Sequence, residues 1–174
     1  MTVQQQVYAA LDGMGIAYDA IRHDAAVHIT QCMEVMRSLN AVVVKNIFLC
    51  PRNQSRFYLL LTRPDAKLRT SDISAQAGAS RLSFAPEDRL LALLHEHPGS
   101  ISPMGLIFDE RHAVTVLVDD ALLSAERLAF HPCDNTESLA MSGRDFFDVF
   151  LKRLGYAPVP VTIHDFLESK EENS

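Results

Sequence analysis

One segment of the chain, Pro98-Gly99-Ser100-Ile101-Ser102-Pro103-Met104-Gly105, combines two prolines, two glycines and two serines in eight residues. Proline fixes the backbone dihedral φ and glycine allows conformations closed to other residues, so this composition indicates a loop with a restricted path. In such a loop several N–H groups can point at a ligand and stabilise an anion or a developing oxyanion. The same composition is also typical of a plain connection between a helix and a strand.

A lysine interrupts an otherwise apolar stretch, Val44-Lys45-Asn46-Ile47-Phe48-Leu49, that predicts a strand. Such a lysine either extends its ammonium group to solvent or holds it at a cleft where an anion is the partner. In a regular strand Asn46 points to the opposite face, so one of the two polar residues is expected to be structural. Lys45 is therefore a candidate anion-binding residue.

A third polar segment, Phe130-His131-Pro132-Cys133-Asp134-Asn135-Thr136, follows a predicted apolar strand. A histidine at a strand end is typical of a hydrogen-bonded structural residue as well as of a catalytic one. Cys133 lies two positions from His131 without an evident orienting acid, which disfavours a cysteine nucleophile. A small-molecule hydrolase that uses Cys133 stays open as an alternative, and retained activity after Cys133→Ser would exclude it.

The remaining polar patterns predict neither a metal site nor a nucleotide cofactor. His95 and His97 are two positions apart near a predicted helix end, a spacing that does not place them on one helical face. Three cysteines without a Cys-x-x-Cys pair predict no disulfide framework and no structural zinc site. The sequence has no glycine-rich phosphate loop and no Gly-x-Ser-x-Gly elbow. We therefore expect no metal and no cofactor.

The charge of the chain is unevenly distributed. The 174 residues are 48% apolar and 22% charged, an ordinary globular balance, with a net charge of −6. Residues 37–89 hold nine Lys/Arg against four acidic residues, whereas residues 90–174 hold six against fourteen. A basic face on an acidic body can contact a phosphate backbone, although solvated surface charges give the same count. No apolar run approaches the ~20 residues of a membrane span and the N-terminus is polar, so we expect a cytoplasmic protein without a membrane partner.

The hydrophobic pattern predicts the elements that must position these residues. Helices are expected over residues 3–13, 30–39, 70–78, 86–94, 121–127 and 142–155. Strands are expected over residues 16–22, 41–50, 56–62, 113–119, 128–131, 138–141 and 159–163. We predict one α+β domain over residues 1–166, built on a mixed, mostly antiparallel β-sheet or partly open barrel flanked by helices. Residues 167–174 are predicted to be a disordered tail.

Four motifs follow one another along the chain: Lys45-Asn46-Ile47-Phe48-Leu49, Arg81-Leu82-Ser83-Phe84-Ala85, Pro98-Gly99-Ser100-Ile101-Ser102-Pro103, and Phe130-His131-Pro132 with Asn135-Thr136. In this order and spacing they resemble the freestanding prolyl-tRNA editing proteins of the YbaK/ProX family. Those proteins are related to the editing insertion domain of bacterial prolyl-tRNA synthetase. The likeness covers nearly the whole chain and implies the fold of that family.

The resemblance implies a hydrolase that acts in trans on mischarged tRNA and, in this subgroup, removes alanine from proline tRNA. Lys45 then corresponds to the lysine that holds the terminal adenosine end of the tRNA through phosphate, and Asn46 lies at the same site. The loop of Gly99, Ser100, Ile101, Ser102 and Pro103 corresponds to the loop around the reacting carbonyl. The acceptor end of tRNA is the implied partner, with prolyl-tRNA synthetase as a second one.

Five further residues are implied in substrate binding: Phe84, Met104, Gly105, His131 and Pro132. Among them His131 shapes the amino-acid pocket, and Met104 stands where many relatives have a bulkier aromatic residue. Removal of serine, cysteine or threonine from tRNA stays open as an alternative activity. A tRNA-binding module of the same fold without catalysis stays open as well.

Overall fold

Nine strands form two sheets in the computed structural model, which describes residues 1–25, 34, 35 and 37–164. The strands are β1 (Tyr18–Arg22), β2 (Val42–Val43), β3 (Lys45–Pro51), β4 (Phe57–Thr62), β5 (Leu82–Phe84), β6 (Val114–Asp119), β7 (Arg127–Phe130), β8 (Glu137–Ser142) and β9 (Val159–Val161). One sheet has the order β1-β8-β7-β2 and the other has the order β5-β3-β4-β6-β9.

The pairing is mixed within both sheets. The pairs β2–β7, β4–β6 and β6–β9 are parallel, and the other four pairs are antiparallel. The predicted α+β class with mixed, mostly antiparallel strands is confirmed. In the part of the chain that the structure describes, these strands are divided between two sheets and form no closed barrel.

The strand predicted over residues 41–50 is divided between the two sheets. Its first part is β2, which pairs with β7, and its second part begins at Lys45 and pairs with β4. Between them the N–H of Val44 donates to the carbonyl of Ala129 at 3.3 Å, and Asn46 Nδ2 donates to the carbonyl of Val44 at 3.2 Å. The chain therefore changes sheets immediately before Lys45, which places that lysine at the junction.

Helices flank the sheets, and their ends carry the expected signals. They are α1 (Val3–Gly13), α2 (Thr70–Gln76), α3 (Glu87–Leu94) and a C-terminal helix, π-type over Asp145–Leu151 and α-type over Lys152–Leu154. The Oγ of Ser142 accepts the N–H of Asp145 at 3.0 Å, and Gly155 ends the helix with a φ of 86°. None of the helices in the described ranges is long and apolar enough to cross a membrane.

One predicted helix differs from the structure, and another falls mostly outside it. The helix expected over residues 121–127 is a single 3₁₀ turn at Asp120–Leu122, because β7 already begins at Arg127. A second 3₁₀ helix, Pro103–Phe108, continues the Gly/Pro-rich segment. The helix expected over residues 30–39 has its cap, Thr30, and its apolar face outside the described residues. The predicted tail, residues 167–174, also lies outside them.

The centre of the fold is β4, whose six residues are all buried. Strands pair with it on both sides, and both of its faces are covered by apolar side chains. Leu59 on one face belongs to a core that includes Phe130 and Met141 of the four-stranded sheet. Leu60 on the other face packs in a cluster with Ile73 of α2. The two sheets thus share one core, and α2 closes the outer face of the larger sheet.

Gly143 lies between β8 and the C-terminal helix, where the backbone leaves no room for a side chain. Its N–H donates to the carbonyl of Glu126 at 2.8 Å, and an added Cβ would lie 2.1 Å from the carbonyl oxygen of Ala125. Because backbone must move to relieve that overlap, Gly143→Ala should lower the free energy of unfolding by about 1–3 kcal/mol, measured by urea denaturation. Gly13→Ala is the matched control, since its Cβ would meet nothing within 4 Å. Equal stability of the two variants would contradict this account.

Candidate functional site

A cavity of about 450 Å³ opens where β3, β5, α3 and the Gly/Pro-rich loop meet. Lys45 and Asn46 at the start of β3 line it, together with the exposed ring of Phe84 at the end of β5. The loop of residues 98–105, called here the Gly-Pro loop, contributes Pro98 and Ile101. The fold therefore brings three of the four sequence motifs to one cavity, whose size is within the range of small-ligand sites.

Lys45 and Asn46 line this cavity together, although consecutive strand residues ordinarily point to opposite faces. Because β3 begins at Lys45, directly after the chain changes sheets, regular alternation does not separate them. The Oδ1 of Asn46 is buried and has no hydrogen-bond partner among the described residues. A buried acceptor without a partner costs about 1–3 kcal/mol, so a ligand N–H or O–H at this position would be favoured.

Within the Gly-Pro loop, most backbone donors are already used by the protein. The N–H of Ser100 donates to the carbonyl of His97 at 2.9 Å, and the N–H of Met104 donates to Ser102 Oγ at 3.1 Å. These bonds correct the expectation that the serines leave several donors open, because they fix the loop instead. Gly99 lies in the first turn of a 3₁₀ helix, Pro98–Ser100, where N–H groups have no intrahelical acceptor.

The second half of the Gly-Pro loop faces the interior. Ser102 and Met104 are fully buried, and Pro103 and Gly105 are buried beside them. None of these four residues lines the cavity. The structure therefore places Met104 and Gly105, expected at the substrate, on the core side of the loop, because the 3₁₀ helix directs them inward.

His131 directly follows β7 and begins the loop that leads to β8. It is buried at the end of β7, its Nδ1 lies 2.7 Å from the carbonyl of Glu137, and burial lowers its pKa. His131 and Pro132 do not line the cavity. Their loop still reaches the Gly-Pro loop, because a Cβ added to Gly99 would lie 3.5 Å from Asn135 Nδ2.

Glu96 is a candidate that the sequence analysis did not single out. Its side chain is 0% exposed, and its Oε1 accepts the N–H of Ser102 at 3.0 Å and the S–H of Cys133 at 3.2 Å. Its Oε2 has no partner among the described residues. Burial raises the pKa of the Glu96 carboxyl well above its usual range and also raises the pKa of the Cys133 thiol. The protonated thiol is therefore a hydrogen-bond donor in this structure.

The sequence gives little sign that Glu96 is buried, because its neighbours His95 and His97 are also polar. Both of these histidines are exposed in the structure. His95 ends α3 in the left-handed conformation with a φ of 57°, and its ring stacks on Phe108 at 4.1 Å. That turn directs the next side chain inward. A polar residue at a helix end ordinarily indicates a solvent-exposed position, so the burial of Glu96 depends on the fold and not on the local sequence.

A second groove, of about 500 Å³, adjoins the cavity at Phe84. Phe84 is 75% exposed and lines both depressions. Arg52 and Arg81 line the groove, so part of the basic excess of residues 37–89 lies beside the cavity. Positive charge next to an exposed aromatic ring is the combination with which proteins bind single-stranded nucleic acid.

Comparison with known proteins gives a consistent result. Residues 23–149 match the family model described as the aminoacyl-tRNA editing domain. The prolyl-tRNA editing protein ProX of Acetoanaerobium sticklandii is 33% identical over 145 residues, covering 83% of this chain and 88% of that protein. Prolyl-tRNA synthetase associated domain-containing protein 1 of Mus musculus is 28% identical over 86% of this chain and 89% of its own.

The fold also matches solved structures. A crystal structure described as a candidate trans-editing enzyme for prolyl-tRNA synthetase superposes with a TM-score of 0.72 at 14% identity. The match covers 94% of this chain and 99% of that chain. A crystal structure of the hypothetical protein APE2540 has a TM-score of 0.69 at 16% identity, over 90% and 98% of the two chains. At these identities the likeness shows the fold alone.

The raised pKa of Glu96 predicts a pH-dependent difference in stability between the wild type and Glu96→Gln. Above the unfolded-state pKa of about 4.3, the native state keeps a proton that the unfolded state has lost, so wild-type stability falls with rising pH. Glutamine has the same shape and no proton to lose. The stability of Glu96→Gln relative to the wild type should therefore rise by up to about 1.4 kcal/mol per pH unit above pH 5, measured by urea denaturation. A difference that stays constant from pH 5 to 8 would contradict the shift.

Proposed function

Because the chain belongs to the family of aminoacyl-tRNA editing domains, we propose that it hydrolyses the ester bond of mischarged tRNA in trans, with alanine-charged proline tRNA as the substrate. The observation that carries the proposal is the cavity at which Lys45, Asn46 and the Gly-Pro loop meet. The relative from Acetoanaerobium sticklandii, which is named as a prolyl-tRNA editing protein, supports the choice of tRNA.

In this proposal the acceptor end of the tRNA occupies the cavity and the adjoining groove. The ammonium group of Lys45 pairs with a phosphate of the terminal nucleotide, and Asn46 Oδ1 accepts a hydrogen bond from a ribose hydroxyl or an amino group. Arg52 and Arg81 contact the preceding phosphates, while the ring of Phe84 offers a stacking surface for a base. Such binding depends on counterion release and weakens as salt increases.

The reaction needs no nucleophile from the enzyme. An aminoacyl ester is already activated, so a positioned water and a stabilised oxyanion suffice. Water adds to the carbonyl carbon, and the tetrahedral intermediate then breaks its bond to the ribose oxygen, which takes up a proton as free alanine is released. We assign the N–H groups of Gly99 and Ile101 as the oxyanion donors. The other N–H groups of the loop, those of Ser100, Ser102, Met104 and Gly105, are bonded inside the protein. The buried Cys133, with its raised pKa, is not a competing nucleophile.

Selection against proline would depend on steric exclusion. Attraction alone separates side chains that differ by one or two methylene groups by only about 1–3 kcal/mol, too little to protect the correctly charged tRNA. A pocket with a fixed backbone can exclude the larger proline ring while it admits alanine. The loop that would provide such a wall is held by buried residues, among them Pro103 and Ser102.

Lys45→Ala tests the proposed anion contact. Loss of one charge-assisted hydrogen bond costs about 1.5–3 kcal/mol, so kcat/KM for deacylation of alanine-charged proline tRNA should fall by about 10- to 100-fold or more. The measurement is release of radiolabelled alanine. Lys152→Ala, at an exposed lysine of the C-terminal helix, is the matched control and should keep wild-type activity. Full activity of Lys45→Ala with an unchanged thermal unfolding curve would remove the role assigned to Lys45.

A panel of tRNAs charged with alanine, serine, cysteine, threonine and proline tests the choice of substrate. We expect alanine to be released fastest and proline to be retained, with and without added prolyl-tRNA synthetase. Preferred release of serine, cysteine or threonine would overturn the choice of alanine but not the deacylase activity. Binding of tRNA without release of any amino acid would indicate a module that only binds. Activity that persists in Cys133→Ser would exclude a cysteine hydrolase.

A further inference from the structure

Glu96 is a buried acidic residue that the proposed hydrolysis does not use. It follows the left-handed residue that ends α3, and its side chain lies directly behind the Gly-Pro loop with no exposed surface. A carboxyl in such a place is costly to bury, and native proteins place one there only when specific hydrogen bonds compensate. The burial of this carboxyl therefore depends on the groups to which it is hydrogen-bonded.

The contacts of Glu96 join three separate parts of the chain. The Oε1 accepts the N–H of Ser102 from the Gly-Pro loop at 3.0 Å and the S–H of Cys133 from the loop after β7 at 3.2 Å. The end of the loop also packs against this carboxyl, because a Cβ added at Gly105 would lie 2.6 Å from the same oxygen. One carboxyl oxygen thus bonds the middle of the Gly-Pro loop and lies against its end.

We propose that Glu96 is a positioning residue for deacylation, which holds the backbone from Ser102 to Gly105 and, through Cys133, ties the Gly-Pro loop to the loop of His131. This inference rests on the proposed function of the cavity. The two loops are also adjacent at Gly99, where an added Cβ would lie 3.5 Å from Asn135 Nδ2. Ser102 is three residues from Gly99 in the same loop, so a shift at Ser102 would move Gly99 relative to the bound ester. Glu96 contacts the loop from behind and does not line the cavity, which separates it from catalytic residues.

A direct role of Glu96 as a general base does not agree with its surroundings. A general base must lie within hydrogen-bond reach of the proton it takes, directly or through one water. The Glu96 side chain has no exposed surface: Ser102 and Cys133 occupy Oε1, and Oε2 is buried away from solvent. Its effect on the reaction must therefore pass through the loop.

The test uses three variants of the full chain. Glu96→Met fills nearly the same volume but cannot accept the N–H of Ser102, Glu96→Gln keeps an accepting Oε1, and Glu110→Ala is an exposed control. We expect Glu96→Met to lower kcat for alanine-charged tRNA by about 100-fold with little change in KM, because misplacement by about 1 Å has effects of that size. Glu96→Gln and Glu110→Ala should keep wild-type kcat.

Hydrogen–deuterium exchange gives a readout that does not depend on activity. In Glu96→Met the amides of residues 98–105 should exchange faster than in the wild type, while those of β3, β4 and β6 remain protected. Wild-type kcat and unchanged exchange in Glu96→Met would overturn the inference. So would an equal loss of kcat in Glu96→Gln, because that result would assign acid–base chemistry to the carboxyl.

Failure of the proposed function can be distinguished from failure of the proposed role of Glu96. If the wild type releases no amino acid from any charged tRNA, the proposed function fails, and the exchange experiment still decides whether Glu96 holds the loop. If Glu96→Met unfolds, so that its exchange rises throughout the chain, the comparison moves to Gly105→Ala. Its Cβ would displace Glu96 Oε1 and the carbonyl of Leu94 without removing the carboxyl. Faster exchange limited to residues 98–105 in that variant supports the inference, and unchanged exchange overturns it.

Discussion

One apolar core is shared by the two sheets, and it holds both the start of β3 and the Gly-Pro loop in place. Leu59 of the larger sheet and Phe130 of the smaller one belong to the same buried cluster, and burial of apolar surface contributes about 25 cal/mol per Å². To cover that core from two sides, the chain must pass from one sheet to the other, and it does so at Val44. Lys45 and Asn46 emerge at this junction, which is why two adjacent polar residues can face one cavity.

The Gly-Pro loop is held by the same core from the opposite side. Met104 is fully buried among apolar side chains, and Ser102 is bonded to a carboxyl that has no contact with solvent. A hydrogen bond in a medium of low dielectric is strong, and it favours one backbone arrangement over its alternatives. For a reaction whose substrate is an activated ester, a fixed backbone matters more than a reactive side chain, because donors that are already in place need no reorganisation.

Local patterns predicted most elements well, since each depends on residues close in the chain. The α1 helix buries Val7 and Leu11, as their spacing indicates, and Gly155 ends the C-terminal helix. The strand over residues 41–50 was predicted as one piece because apolar residues lie on both sides of Val44 and strand propensity is the same for both. The helix over residues 121–127 was wrong because pairing of β7 with β8 begins at Arg127, and that partner is remote in sequence.

The sequence alone identifies residues with unusual chemistry, namely a lysine within an apolar strand and a loop restricted by glycine and proline. It also shows four motifs whose order resembles that of a known family. Tertiary structure decided which of them share a cavity, as Lys45 and Ile101 do, and which face the core, as Met104 does. It alone singled out Glu96, whose two exposed neighbours give no sign of its burial. Burial and hydrogen-bond partners come from residues distant along the chain, whereas turn and strand propensities come from adjacent ones.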